Sequence, residues 1–180
     1  MRAPPLLEGS LVDLRPFDST YLTQEYVDWF NNPEVTKYNR HGAITYTLEL
    51  AKEYIATTQK SSDTVVCAII VKDTARHVGN IALQKIDVIS KHAEYSIIVG
   101  NKQYWGKGVA GDASRVILRY AFSTLDLHRI YCGTSVANIP MQKLAASLGF
   151  IEEGRLRQEE FKDGKFNDVI LYGLLRDEFK

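Results

Sequence analysis

The sequence predicts an α/β (α+β) chain with a mixed, mostly antiparallel sheet, helices on both faces, and the order βααβββαβαββ. Three observations carry this. Apolar periodicity alternates at short intervals between the strand repeat and the helical repeat. Three consecutive strand-like runs in the middle are joined by hairpin-length turns rather than helical crossovers. One strand–helix–strand unit, from about residue 93 to 136, has the length a parallel connection requires. Residues 1–180 suit one domain with a real core and would be cramped as two, and no repeat, linker or low-complexity segment divides them.

The elements follow in order. "SLVDLRPF" reads as a strand, after which Ser19 can cap a helix running to about Phe30, with Leu22, Tyr26 and Trp29 or Phe30 at helical spacing. "NNPEVTKY" breaks it. Thr47 can cap "LELAKEYIATTQ", whose Leu48, Ala51, Tyr54 and Ile55 form an apolar stripe. The β-branched run "TVVCAIIV" is a buried strand, "KDTAR" a turn into "HVGNIALQKID", and "AEYSIIV" completes a three-stranded meander. "VAGDASRVILRYAFSTL" is the third helix and "RIYCGTSV" a strand. "NIPMQKLAASLGF" is a capped helix closing at Gly149, and Asp163-Gly164 marks a last hairpin.

Composition excludes several classes. Lys plus Arg equals Asp plus Glu at 22 each, so no overall positive field exists to hold nucleic acid. "MRAPPLLEGS" lacks the apolar core of a signal peptide, and no run reaches the roughly 20 apolar residues that cross a bilayer. A cytoplasmic protein without membrane association is expected. Cys67 and Cys132 sit in strand-like runs and read as small core residues; the four histidines never approach metal-ligand spacing, so no metal is expected.

"NKQYWGKGVAG" contains Gly106, Gly108 and Gly111 as G-x-G-x-x-G, the dinucleotide fingerprint. Its surroundings disagree with that reading. Gly106 comes seven positions after Val99, and the strand "RIYCGTSV" leads into Ala137 and Asn138 without the carboxylate that would bind a ribose. A P-loop fails for want of the Lys-Ser/Thr pair. What remains is a glycine-rich helix start able to hold an anion, for which a pyrophosphate is the natural guest.

Read from Gln103, the same stretch is Gln-x-x-Gly-x-Gly with Ala110 two positions on, and with "N138-x-x-x…L148-G149-F150" and the βααβββ opening it closely resembles the GNAT superfamily of acyl-CoA N-acyltransferases. The tail "EEGRLRQEEFKDGKFNDVILYGLL" is similar to the branch holding ribosomal-protein N-terminal and spermidine acetyltransferases. The resemblance implies acetyl-CoA as co-substrate. It also implies a strand carrying Ile97, Ile98 and Val99 that splays from its parallel neighbour to admit the pantetheine arm, and a cradle from Gln103 through Tyr104, Trp105, Gly106, Lys107, Gly108 and Val109 to Ala110 for the pyrophosphate. Asn138 has two compatible readings, helix cap and contact to the cofactor arm.

Direct attack of an amine on a thioester needs a base, an oxyanion donor, implied near Ile98 or Val99, and a proton for the thiolate. The glutamate and tyrosine of many relatives fall at Gly133 and Ala145 here, and the serine of the ribosomal-protein branch falls at Met141. Glu160, kept in the tail, is the first candidate for base or amine anchor, and Glu94, on one strand face with His92, Ser96 and Ile98, is the second. The acid is open among Tyr131, Tyr95 and water. Trp29, Asn31, Tyr38 and Arg40 border the expected acceptor cleft. The resemblance implies as acceptor a primary amine of a protein N-terminus, an amino sugar or nucleotide sugar, or another small molecule, and a weak base favours an α-amine or amino sugar over a polyamine. A catalytically silent CoA-binding module is the reading of another class, and a homodimer is compatible with the family.

Overall fold

The computed structural model describes residues 4–39 and 44–180. Its centre is the β-branched strand β3 (Val65–Val71), buried at every position, as its unbroken apolar run requires. Around it lie β1 (Leu7–Glu8), β2 (Val12–Pro16), β4 (Arg76–Asp87), β5 (His92–Val99), β6 (Arg129–Ser135), β7 (Ile151–Lys162) and β8 (Lys165–Leu175). They form one eight-stranded sheet in the order β1-β2-β3-β4-β5-β6-β8-β7. Every pairing is antiparallel except β5 with β6. The expected element order is observed, with the two-residue β1 added at the edge.

Among the described residues four α-helices cover the sheet: α1 (Gln24–Asn31), α2 (Leu48–Lys60), α3 (Val109–Ser123) and α4 (Ile139–Ser147). Strand alternation separates two cores. Cys67, Ile69, Ile81, Leu83 and Tyr95 pack with α3 and α4, whereas Val66, Ala68, Ile70 and Ala82 pack with α1 and α2 around Phe17, Tyr26 and Phe30. Cys67 and Cys132 are core residues; burial pushes each thiol up to about 12. Among the described residues no helix is long and apolar enough to cross a membrane.

One helix start differs from expectation. Ser19 opens only a 3-10 turn, Ser19–Tyr21, because Asp18 accepts the Thr20 N–H and hydroxyl at 2.8 and 2.6 Å and closes a local turn. Thr23 caps α1 instead, its hydroxyl accepting the Tyr26 N–H. Thr47 caps α2 through the Leu50 N–H, and Asn138 caps α4 through the Met141 N–H. The final turn places Asp163 and Gly164 both at positive φ, 50° and 75°, the twist a two-residue hairpin demands.

Candidate active site

The sheet has one interruption. β5 pairs with β4 as far as Val99, but its parallel pairing with β6 stops after three residues, at Glu94 opposite Tyr131. β6 meanwhile stays on β8 through Ser135. From Tyr95 onward β5 therefore has a neighbour on one side only, and a wedge opens between two strands in the middle of the sheet. The Tyr95 hydroxyl lies 2.6 Å from Ser114 Oγ on α3, tying β5 to that helix where the wedge begins. Burial pushes the Tyr95 phenol well above its ordinary value, so it stays protonated.

Beyond the wedge comes the glycine loop. A 3-10 turn, Lys102–Tyr104, is capped by Asn101, and Gly106 and Gly108 follow with φ of 71° and 80°. Those angles lie in the left-handed region that side chains resist. Gly108 precedes α3, and no side chain caps the helix, so the first-turn N–H groups from Val109 are presented without a side-chain acceptor. Asp112, the one acidic residue of that turn, is already committed: its carboxylate accepts the N–H groups of Ser10, Leu11 and Val12 at 3.1, 2.7 and 3.0 Å. A Cβ at Gly106 would meet nothing within 4 Å, so the loop mouth is open. Uncapped N–H groups, a helix dipole and open space suit a diphosphate. Lys107 Nζ lies 5.7 Å above the Tyr104 ring, and the Trp105 indole N–H donates to Val99 O at 2.6 Å, fastening the loop to the end of β5.

On the α1/α2 face lies a cavity of about 380 Å³. Tyr26, Phe30, Tyr46 and Tyr54 supply its aromatic wall, and Asn39, Asn80, Gln84 and Ser96 its polar groups. Its remaining wall includes Ile97 and Ile98, so the cavity and the wedge share residues 96–98 of β5. No charged side chain lines it among the described residues. Burial pushes the Tyr54 phenol up to about 12 and raises Tyr26 and Tyr46 as well, which leaves these hydroxyls neutral.

The expected base residues are differently placed. Glu160, on β7 opposite Asn167, is 8% exposed and is the one charged side chain among the buried polar groups of the described residues. Lys162, two residues on and so on the same strand face, donates to Thr36 O and Asn39 O at 2.7 and 2.6 Å. That clamps the β7–β8 hairpin onto the α1–α2 connection, whose Asn39 lines the cavity; Glu160 itself is not among the lining residues. Glu94 instead pairs with Lys85 at 2.8 Å at the base of the wedge, two residues from Ser96. Tyr131, opposite Glu94, is raised by burial and by that carboxylate.

Of the expected acceptor contacts, Trp29 is buried in an aromatic cluster, 5.0 Å from His77 and against Gly100, and does not line the cavity. Asn31 braces the loop, its amide donating to Tyr46 O and accepting the Tyr46 N–H, each at 2.8 Å. Tyr38 lies beneath Lys37 Nζ at 5.2 Å and outside the cavity wall, and Arg40 falls outside the described residues. Asn138 acts as the helix cap, its amide also donating to Thr134 Oγ1 at 3.0 Å. Sequence reading did not bring together Tyr26, Tyr46, Tyr54, Asn80 and Gln84 as the lining of one cavity; they come from four separated segments and meet only in the fold.

The model of the acetyltransferase (GNAT) domain matches residues 12–151. The chain belongs to the GNAT acetyltransferases. It is 33% identical over 157 residues to the uncharacterized N-acetyltransferase p20 of Bacillus licheniformis, covering 84% of this chain and 85% of that protein. It is 31% identical over 102 residues, 57% of this chain and 55% of the other, to a Bacillus subtilis protein provisionally named ribosomal N-acetyltransferase YdaF. A crystal structure of spermidine N-acetyltransferase from Vibrio cholerae with CoA and spermine superposes with a TM-score of 0.84 at 25% identity, over 93% of this chain and 97% of that one. This GNAT chain is therefore an N-acetyltransferase, of a family that uses acetyl-CoA. Among the described residues no group of His, Cys, Asp and Glu could hold a metal.

Proposed function

We propose that this acetyltransferase acetylates the primary amine of a compact acceptor whose body is uncharged and polar, of which an amino sugar is the model. The carrying observation is the cavity of about 380 Å³, walled by four aromatic side chains and by neutral amides, with no carboxylate among its described lining. Aromatic faces and amides suit a ring bearing hydroxyl groups. A polyamine relies on several cationic centres and would leave them without a counter-charge there.

Acetyl-CoA supplies an activated thioester. The N–H groups at the start of α3, with Gly106 to Ala110, would hold its diphosphate, and the one-sided backbone of Ile97 to Val99 would hold its arm. A backbone N–H at Ile98 or Val99 donates to the developing oxyanion. Glu160 receives the proton of the acceptor ammonium. An amine with a pKa of about 8 surrenders that proton far more readily than one near 10.4, which suits a carboxylate base. Tyr95 or Tyr131, both held protonated, can return a proton to the thiolate.

The test is incubation with acetyl-CoA and a panel of amino sugars, nucleotide amino sugars, N-terminal peptides and spermidine, with products read by mass spectrometry beside Glu160→Gln. Amino-sugar products, reduced about 100-fold or more in the variant, are expected. Preferential acetylation of spermidine would overturn the acceptor assignment.

A further inference from the structure

His77 and Asn80 stand outside every role assigned so far, although Asn80 lines the acceptor cavity. His77 Nε2 lies 3.0 Å from Gly79 O and 2.8 Å from Asn80 Oδ1. A backbone carbonyl can only accept, so Nε2 must carry the proton, and this fixes the tautomer. The atom of Asn80 facing that N–H must then be its carbonyl oxygen. Its amide nitrogen is left on the opposite side, where it donates to the Tyr26 hydroxyl at 3.4 Å. His77 cannot turn freely to undo this, because Phe17, Tyr21, Tyr26 and Trp29 pack around its ring at centroid distances of 4.9 to 6.0 Å.

Polarity in the cavity follows from a residue that does not line it. With Oδ1 committed to His77, the end of Asn80 turned toward Tyr26, itself a residue of the cavity wall, is the NH₂ group, which carries two donors, one of them given to Tyr26. Asn80 is 8% exposed, so its second donor has little water to satisfy it. We propose that Asn80 reads an oxygen atom, hydroxyl or carbonyl, carried beside the amine of the acceptor, and that His77 is the positioning residue that decides which end of the amide does the reading. This rests on the cavity being the acceptor site. It sharpens the substrate class to amines with a neighbouring oxygen, and a bare hydrocarbon amine leaves a buried donor unmatched.

The experiment compares glucosamine with cyclohexylamine, which keeps a six-membered ring and amine and lacks every oxygen, by steady-state kinetics with acetyl-CoA. The wild-type ratio of kcat/KM is expected to favour glucosamine at least tenfold. Asn80→Asp, near-isosteric but without the donor, should reduce that ratio about tenfold. His77→Phe should reduce it similarly, while His77→Gln, whose amide can again donate to Asn80 Oδ1, should restore most of it. Histidine ¹⁵N shifts in the protein without substrates should report His77 protonated at Nε2, a readout independent of turnover. A ratio unchanged by Asn80→Asp, or an Nδ1-protonated His77, overturns the proposal while leaving the acceptor site standing. Absence of turnover on either amine, with spermidine or a peptide acetylated instead, overturns the acceptor assignment and this proposal with it.

Discussion

Two adjacent aromatic residues, Trp29 and Phe30, show what a single side chain reveals in sequence and what it conceals. Helical spacing places both near the core, but only the fold separates them: Phe30 enters the cavity wall, and Trp29 turns to cover Gly100. A Cβ on Gly100 would lie 2.1 Å from the Trp29 ring. Gly100→Ala should therefore destabilise the protein by about 1–3 kcal/mol, visible as a lower urea midpoint with an unchanged slope. Asn138 was legible because helix capping is local chemistry. Tyr26, Tyr54 and Asn80 were not legible as a site, since their meeting depends on the packing of α1 and α2 against the sheet.

Among the elements, the β7–β8 hairpin holds the most information. Its turn could be read from Asp163-Gly164, yet its register could not. β7 shifts between Glu152 and Gly154 and again between Leu156 and Glu160, where Gln158 adopts φ 55° and gives its N–H to Asp168. These irregularities break the alternation by which sequence would choose between Glu159 and Glu160 as the inward carboxylate. Lys162 then locks the hairpin to the α1–α2 connection through two carbonyl oxygens. Lys162→Met removes both bonds, and the KM for the amine should rise about three- to tenfold while that for acetyl-CoA stays constant. The glycine loop is the opposite case, since Gly106 and Gly108 mark by residue type alone the two positions of the loop that take positive φ.

For the whole molecule, the fold class and element order were readable because periodicity is set by which face of each segment is buried. The wedge was expected from family resemblance rather than from periodicity, because both strands that flank it have the same apolar character. Global stability should carry the imprint of His77. Burial holds its imidazole below the ordinary value, against the opposing effects of its bonds to Asn80 and Gly79 and of the Glu25 charge. The unfolded chain takes up this proton as pH falls through about 6.5, and the folded chain resists until a lower pH. The native state is therefore expected to lose stability as pH drops from about 6.5 toward the folded value, with no contribution from this group above that range. The difference in urea midpoint between pH 7.5 and 5.5 should be smaller in His77→Gln.

Loss of the β6 partner after Glu94 also sets a pattern in time. Along Tyr95 to Val99, alternate peptide groups point toward β4 and toward the opening. Amide hydrogens directed at β4 should exchange with deuterium on the slow scale of the sheet interior, and those directed at the wedge should exchange as fast as an edge strand, residue by residue in alternation. Addition of CoA should slow only the fast set, so that a strand at the centre of the molecule behaves as a boundary until its ligand arrives.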